Sequence, residues 1–108
     1  MEYIYDGNEQ VIGRLKGDCV YDKNHKAVGY ICDPFLYDCN HNLIGYVQNG
    51  VIYNAMDMPV SYLTDWNVYN MKGEKMGGVH STWIGLLAAG LLLTAAFGGF
   101  NCGPFGCF

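Results

Sequence analysis

The chain has 108 residues, enough for one domain with a modest core. Six Lys and Arg stand against ten Asp and Glu, a formal net charge of −4. No basic surface can neutralise a run of phosphates, so nucleic acid is not an expected partner. Charge is also unevenly spread: the last ionised side chain is Lys75, and residues 76–108 hold no Asp, Glu, Lys or Arg.

From residue 3 the chain divides without gaps into five blocks of 16: YIYDGNEQVIGRLKGD, CVYDKNHKAVGYICDP, FLYDCNHNLIGYVQNG, VIYNAMDMPVSYLTDW and NVYNMKGEKMGGVHST. The third position is always Tyr (Tyr5, Tyr21, Tyr37, Tyr53, Tyr69). The fourth is Asp or Asn (Asp6, Asp22, Asp38, Asn54, Asn70). Aliphatic residues fill the second column (Ile4, Val20, Leu36, Ile52, Val68) and the thirteenth (Leu15, Ile31, Val47, Leu63, Val79). The tenth column is Ile12, Val28, Ile44, Val60 and Met76; the eleventh is Gly13, Gly29, Gly45, Ser61 and Gly77.

Each block reads as a β-hairpin. A strand of β-formers leads into an Asx residue, whose side chain can bond the backbone two residues on and start a turn. Gly73 in the fifth block falls where a type I turn with a bulge needs a left-handed residue. This register predicts that the second and tenth positions face each other across the hairpin. The glycine column marks a bulge, a bend or the close approach of another side chain, with the repeated Tyr as the expected cover. The tenth and thirteenth positions have opposite parity, so either both faces are partly buried or a bulge resets the alternation. The last two blocks are worn: Pro59 and Trp66 interrupt the fourth, and Asn67 opens the fifth.

Five such hairpins supply about ten strands, and closure would remove their edges. The expected fold is all-β: five tandem 16-residue antiparallel hairpins in a closed or flower-like barrel, plus one C-terminal apolar α-helix. A barrel of that strand number is wider than its own side chains fill, so something must occupy it. The residues expected to line this apolar centre, or a ligand in it, are Ile4, Val20, Leu36, Ile52, Val68, Ile12, Val28, Ile44 and Val60.

Residues 83–100, WIGLLAAGLLLTAAFGGF, would form a helix of roughly 27 Å with no polar face. Burying its large side chains is worth on the order of 15–25 kcal/mol before entropy, so they need shelter from water. Two shelters are open: a membrane, or the barrel itself. In either, the segment's contacts come from Trp83, Ile84, Leu86, Leu87, Leu91, Leu92, Leu93 and Phe97. The organisation expected is a β-hairpin repeat domain over 1–82, the apolar helix over 83–100, and a Gly/Cys/Phe-rich tail over 101–108.

Five cysteines (Cys19, Cys32, Cys39, Cys102, Cys107) include no CxxC pair, and the Met1-Glu2-Tyr3 opening lacks a signal-peptide pattern. Reduced thiols are the expectation. His25 and His41 occupy the same position of adjacent turns, with Cys39 near; this spacing follows the repeat and is not read as a metal site. No nucleophile–base arrangement, phosphate loop or dinucleotide fingerprint is present, so no catalytic residue, metal or cofactor is expected.

The blocks VYDKNHKAVGYI (Val20 to Ile31) and LYDCNHNLIGYV (Leu36 to Val47) resemble small bacterial β-flower proteins, specifically their four-fold β-flower domains. The resemblance covers residues 3 to about 82. It implies radially arranged hairpins around an apolar-lined centre and brings no catalytic residues. In layout, hairpins followed by an apolar helix are also similar to tubby and scramblase-like barrels, in which a terminal helix fills the barrel. The functional expectation is a non-enzymatic, membrane-associated module anchored by its helix. The alternative is a soluble, cytoplasmic barrel that binds a lipid or other apolar ligand, its centre filled by the helix. Assembly into a homo-oligomer is the further partner expected.

Overall fold

The computed structural model describes residues 2–80 and 82–96. Ten strands run in chain order: β1 (Glu2–Asp6), β2 (Val11–Lys16), β3 (Cys19–Asp22), β4 (Ala27–Cys32), β5 (Phe35–Asp38), β6 (Leu43–Gln48), β7 (Val51–Asn54), β8 (Pro59–Thr64), β9 (Asn67–Asn70) and β10 (Lys75–Gly78). One helix follows, α1 (Trp83–Ala96). Every strand pairs antiparallel with its sequence neighbours, and β1 pairs with β10, which closes the barrel. The fourth and fifth blocks form hairpins like the others. Pro59 causes no break because it is exposed at the first position of its strand, where a missing N–H is tolerated.

The five hairpin turns share one chemistry. In each, the fourth-position Asx Oδ1 accepts hydrogen bonds from the backbone N–H groups two and four residues on, at 2.8–3.1 Å. The seventh position is left-handed in all five: Glu9, His25, His41, Asp57 and Gly73 have φ between 63° and 86°. The register then shifts. Ile4 faces Gly13 but Tyr5 faces Val11, and the same skip recurs in every block. The tenth residue is therefore the bulged one. This corrects the expected pairing of second with tenth: the second position faces the glycine. It also resolves the parity conflict, because the bulge brings positions 2, 4, 11 and 13 to one face.

That face is the interior. Ile4, Val20, Leu36, Ile52 and Val68 are fully buried, and the thirteenth column is buried with them. Of the bulged residues, Val28, Ile44 and Met76 are buried, while Ile12 and Val60 are partly buried against the same core. The tyrosine column points outward. Its expected role of covering the glycines is not what the fold uses, since side chains alternate and position 3 lies opposite in sense to position 11's partner.

α1 runs through the lumen. Leu87, Ala88, Ala89 and Leu91 are fully buried, Leu86, Leu92, Leu93 and Thr94 nearly so. An all-round apolar helix needs such a setting. Ten strands about 4.8 Å apart, tilted about 40°, give a barrel radius of roughly 10 Å. A helix with its side chains is about 10–12 Å across. One thin aliphatic layer fits between them, and where helix leucines meet the wall there is room for none. The glycine column stands at those points. A Cβ on Gly13 would lie 2.5 Å from Leu92, on Gly29 3.0 Å from Leu91, and on Gly77 2.9 Å from Leu93, and closer still to the backbone carbonyls of Tyr21, Tyr37 and Tyr5 on the neighbouring strands, so both the bulged sheet and the helix exclude a side chain there. The one non-glycine of the column, Ser61, is fully buried and bonds the one hydroxyl of the helix, Thr94, at 2.8 Å. This pair fixes the helix's rotation.

The helix start is tied to the first strand. Thr82 Oγ1 accepts the N–H of Gly85 at 2.9 Å, as an N-cap does. Glu2 on β1 accepts both the Thr82 N–H and its hydroxyl, at 3.1 and 3.0 Å. It plays the glutamate of a capping box from 80 residues away. Trp83 Nε1–H donates to Asp33 at 3.0 Å. α1 thus starts at the end of the barrel where blocks join, and Leu91–Thr94 reach the glycine ring toward the Asx turns. The helix is described as far as Ala96; Phe97 and the rest of the expected helix lie outside the described residues. Among the described residues no helix is long and apolar enough to cross a membrane. The expectation of a membrane-anchoring helix is corrected accordingly: its leucines are spent on the barrel interior.

Leu91→Ala should lower the urea midpoint by the equivalent of about 2–5 kcal/mol with an unchanged slope, because the helix cannot shift to fill the gap. The junction Asp65-Trp66 has φ of 51° and 68°. A two-residue connection of this kind prefers Asn-Gly, and a left-handed bulky residue costs about 1–2 kcal/mol. Replacing the pair by Asn-Gly should raise Tm by about 4 °C or more in a thermal melt; no gain would mean that Trp66 contacts offset the strain.

Candidate functional site

With the lumen occupied by α1, what the protein can offer lies outside: five seams between hairpins and two rims. Each seam pairs the twelfth residue of one block with the third of the next: Arg14 with Tyr21, Tyr30 with Tyr37, Tyr46 with Tyr53, Tyr62 with Tyr69. The twelfth side chain leans on the next Asx turn. Tyr46 stacks on Tyr53 with centroids 5.2 Å apart and donates its hydroxyl to Asp57 at 2.7 Å. Tyr62 stacks on Tyr69 at 5.3 Å, and Tyr30 on His41 at 4.4 Å. At the closing seam the twelfth residue is Gly78, opposite Tyr5. His80 supplies the missing ring, stacking on Tyr5 at 4.2 Å, and Glu9 lies 3.9 Å from Lys75.

The first seam differs. Arg14 lies over the Tyr21 ring, 4.8 Å from its centroid, and its guanidinium donates to His25 Nδ1 at 2.6 Å. Beside it a groove of about 190 Å³ is lined by Tyr3, Val11, Gly13, Arg14, Asp22, Lys23 and His25. A second groove, about 340 Å³, lies over the closing seam between the first and fifth turns and carries Asp6, Glu74 and Lys75. Hydrogen bonding with Cys19 holds the Tyr21 phenol above its ordinary range; Arg14 opposes this more weakly. The Asp57 hydrogen bond does the same for Tyr46.

The two rims differ in character. At the junction end, exposed apolar groups are Tyr3, Phe35, Trp66, Trp83 and Ile84. Trp83 and Ile84, expected to share the fate of the helix leucines, instead stand at the barrel mouth. At the Asx-turn end, toward which α1 runs, they are Val11, Leu43, Met56, Met58 and Met71, with Met56 and Met58 68% and 57% exposed. Other blocks place Asn8, Asn24 and Asn40 where Met56 stands, so the departure was visible in the alignment of blocks. Arg14 was visible the same way, as the cation in a mostly tyrosine column, and so were Ser61 and Thr94, each the odd residue of its set.

Cys19 and Cys32 are free thiols, whereas Cys39 is disulfide-bonded, against the expectation of reduced thiols throughout. Cys102 and Cys107 lie outside the described residues. His25 and His41 go to separate seams, and among the described residues no group of three His, Cys, Asp or Glu is placed to hold a metal.

Asp57→Asn should bring the Tyr46 titration back toward the ordinary phenol value of 10.0 while keeping a left-handed-tolerant residue. Because the folded pKa is raised, the neutral phenol adds stability below that value and loses it as pH climbs through the folded pKa. Absorbance titration of the phenolate in wild type and variant would show this, and superimposable curves would count against it.

In comparisons with known proteins, a family model described as 5-fold beta-flower protein matches residues 1–91. No curated protein and no solved structure matches. The symmetry of the matched family is five-fold, which corrects the four-fold resemblance, and the layout similarity to tubby and scramblase-like barrels gains no support.

Proposed function

Starting from the fact that this chain belongs to the 5-fold beta-flower family, we propose that it is a non-enzymatic, membrane-associated module that meets lipid through the Asx-turn rim of its barrel. The observation that carries this reading is the set of exposed apolar side chains at that rim: Val11, Leu43, Met56, Met58 and Met71. Exposed apolar groups gathered on a rim mark a surface that gains by leaving water. Both rims carry five among the described residues, and the Asx-turn rim is distinguished by its three methionines, two of them the most exposed of the set. Methionine is flexible enough to adapt to a disordered phase. α1 heads toward the same rim, and the sequence after it, FGGFNCGPFGCF, has four Phe and no charge. A spanning helix plays no part in this attachment. A lipid held inside the barrel would have to displace α1 and its Ser61–Thr94 bond, and for that nothing speaks.

The full chain should float with neutral phosphatidylcholine vesicles in a density gradient. Met56→Asp with Met58→Asp should cut the bound fraction at least tenfold, equivalent to about 1.4 kcal/mol, with an unchanged circular dichroism spectrum. Failure of the wild type to float, or equal flotation of the variant, would refute the reading.

A further inference from the structure

We propose that the seam between the first and second hairpins is a binding site for a phosphate group, with Arg14 as its principal donor. In a five-fold repeat, residues with a structural task recur in columns; a side chain that breaks its column and lines a groove calls for a separate account. Arg14 does both. Tyr30, Tyr46 and Tyr62 hold the equivalent place in three other seams, and they serve it by aromatic contact or a hydrogen bond to the next turn. Arg14 keeps the aromatic contact through Tyr21 and the turn contact through His25, the two kinds of contact its neighbours use. What it adds is a fixed guanidinium. One of its five N–H donors meets His25, and the planar fork is oriented in advance by the Tyr21 face. Such a fork matches two phosphate oxygens at once.

The surroundings fit an anion. Lys23 lines the same groove, and four of the six Lys and Arg of the chain lie between residues 14 and 26. None lies between Ala27 and Met71; residues 1–26 also carry Glu2, Asp6, Glu9, Asp18 and Asp22, so the attraction for an anion is local to the Arg14–Lys23 groove and does not come from a positive face. Asp22 also lines the groove; its Oδ1 accepts the backbone N–H groups of Asn24 and Lys26, which hold it at the turn, and its single negative charge is outnumbered in the groove by Arg14 and Lys23. Tyr3 and Val11 supply an apolar wall for the organic part of a phosphate ester. The site does not depend on the membrane reading, although Lys23 and Val11 are near the Asx-turn rim, so a phospholipid headgroup and a free phosphate ester are both sources of the same chemistry.

The test is a nuclear magnetic resonance titration of the full chain with glycerol phosphate at constant ionic strength, following the Arg14 guanidinium and His25 ring signals. Saturable shifts are expected. Arg14→Tyr installs the residue that three other seams carry, so the fold should persist and saturation should vanish; Arg14→Lys should weaken it at least threefold. Absence of saturation, equal binding by Arg14→Tyr, or the same shifts with chloride alone would overturn the proposal. A second arm compares flotation on phosphatidylcholine vesicles with and without phosphatidylglycerol. An Arg14-dependent gain with phosphatidylglycerol identifies the headgroup as source; saturation by glycerol phosphate without that gain identifies a free ester. Loss of all vesicle binding with glycerol phosphate binding intact would sink the membrane reading and leave this site standing.

Discussion

The structure depends on a fit between one apolar helix and a ring of glycines. A ten-stranded barrel encloses more volume than its own inward side chains occupy, and water there would leave every aliphatic column exposed. α1 removes that problem at one stroke, and it is about as long as the molecule is thin: 14 residues at about 1.5 Å each, against a shortest extent of 22 Å. The fit has no slack. Leu91, Leu92 and Leu93 stand where any wall side chain would collide, and the wall has none there. In the helix the same trade appears in reverse at Gly90, where an added Cβ would strike Ile52. Packing of this density lets a small barrel hold together without a ligand.

Polar contacts are few, and each has a positional task. Ser61 and Thr94 set the helix's rotation, because a buried hydroxyl without its partner would cost about 1–3 kcal/mol. Glu2, Thr82, Asp33 and Trp83 fix where the helix begins. Two carboxylates at that point also suit the positive end of the helix dipole. The Asx residues at the other end do equivalent work for each hairpin, at five-fold repetition. The positional hydrogen bonds therefore sit mostly at the two ends of the barrel, with the Ser61–Thr94 pair the one described inside it.

On the outside, five-fold sameness gives way to individual seams. Four different solutions hold neighbouring hairpins: ring on ring, ring on imidazole, guanidinium on ring, and at closure a histidine from beyond the last strand. The variation is tolerated because the backbone ladder and the core already fix each hairpin, so outer contacts contribute little individually. That freedom is what allows a seam or a rim to take up a task of its own, and Arg14 and the methionines at the Asx turns are where the repeat departs most in chemistry.

The repeat period, the hairpin in each block, the Asx turns and the left-handed position at Gly73 were legible in the sequence, because turn chemistry is local and was repeated five times. The aliphatic columns at positions 2, 10 and 13 were legible too, and positions 2 and 10 were read as the lining; whether position 13 shares that face stayed open, because a bulge can reset the alternation. The pairing of position 2 with the glycine was not legible, since a bulge shifts register without changing composition. Nor was the purpose of the glycines, which depends on backbone carbonyls of the neighbouring strands and on leucines 16 to 79 residues away in sequence, as with Gly77 and Leu93 or Gly13 and Leu92. The helix shows the limit most clearly. Composition alone established that its leucines must leave water, and lipid and lumen satisfy that demand equally; only the closed barrel, whose radius and glycine ring exist once ten strands have met, decides between them.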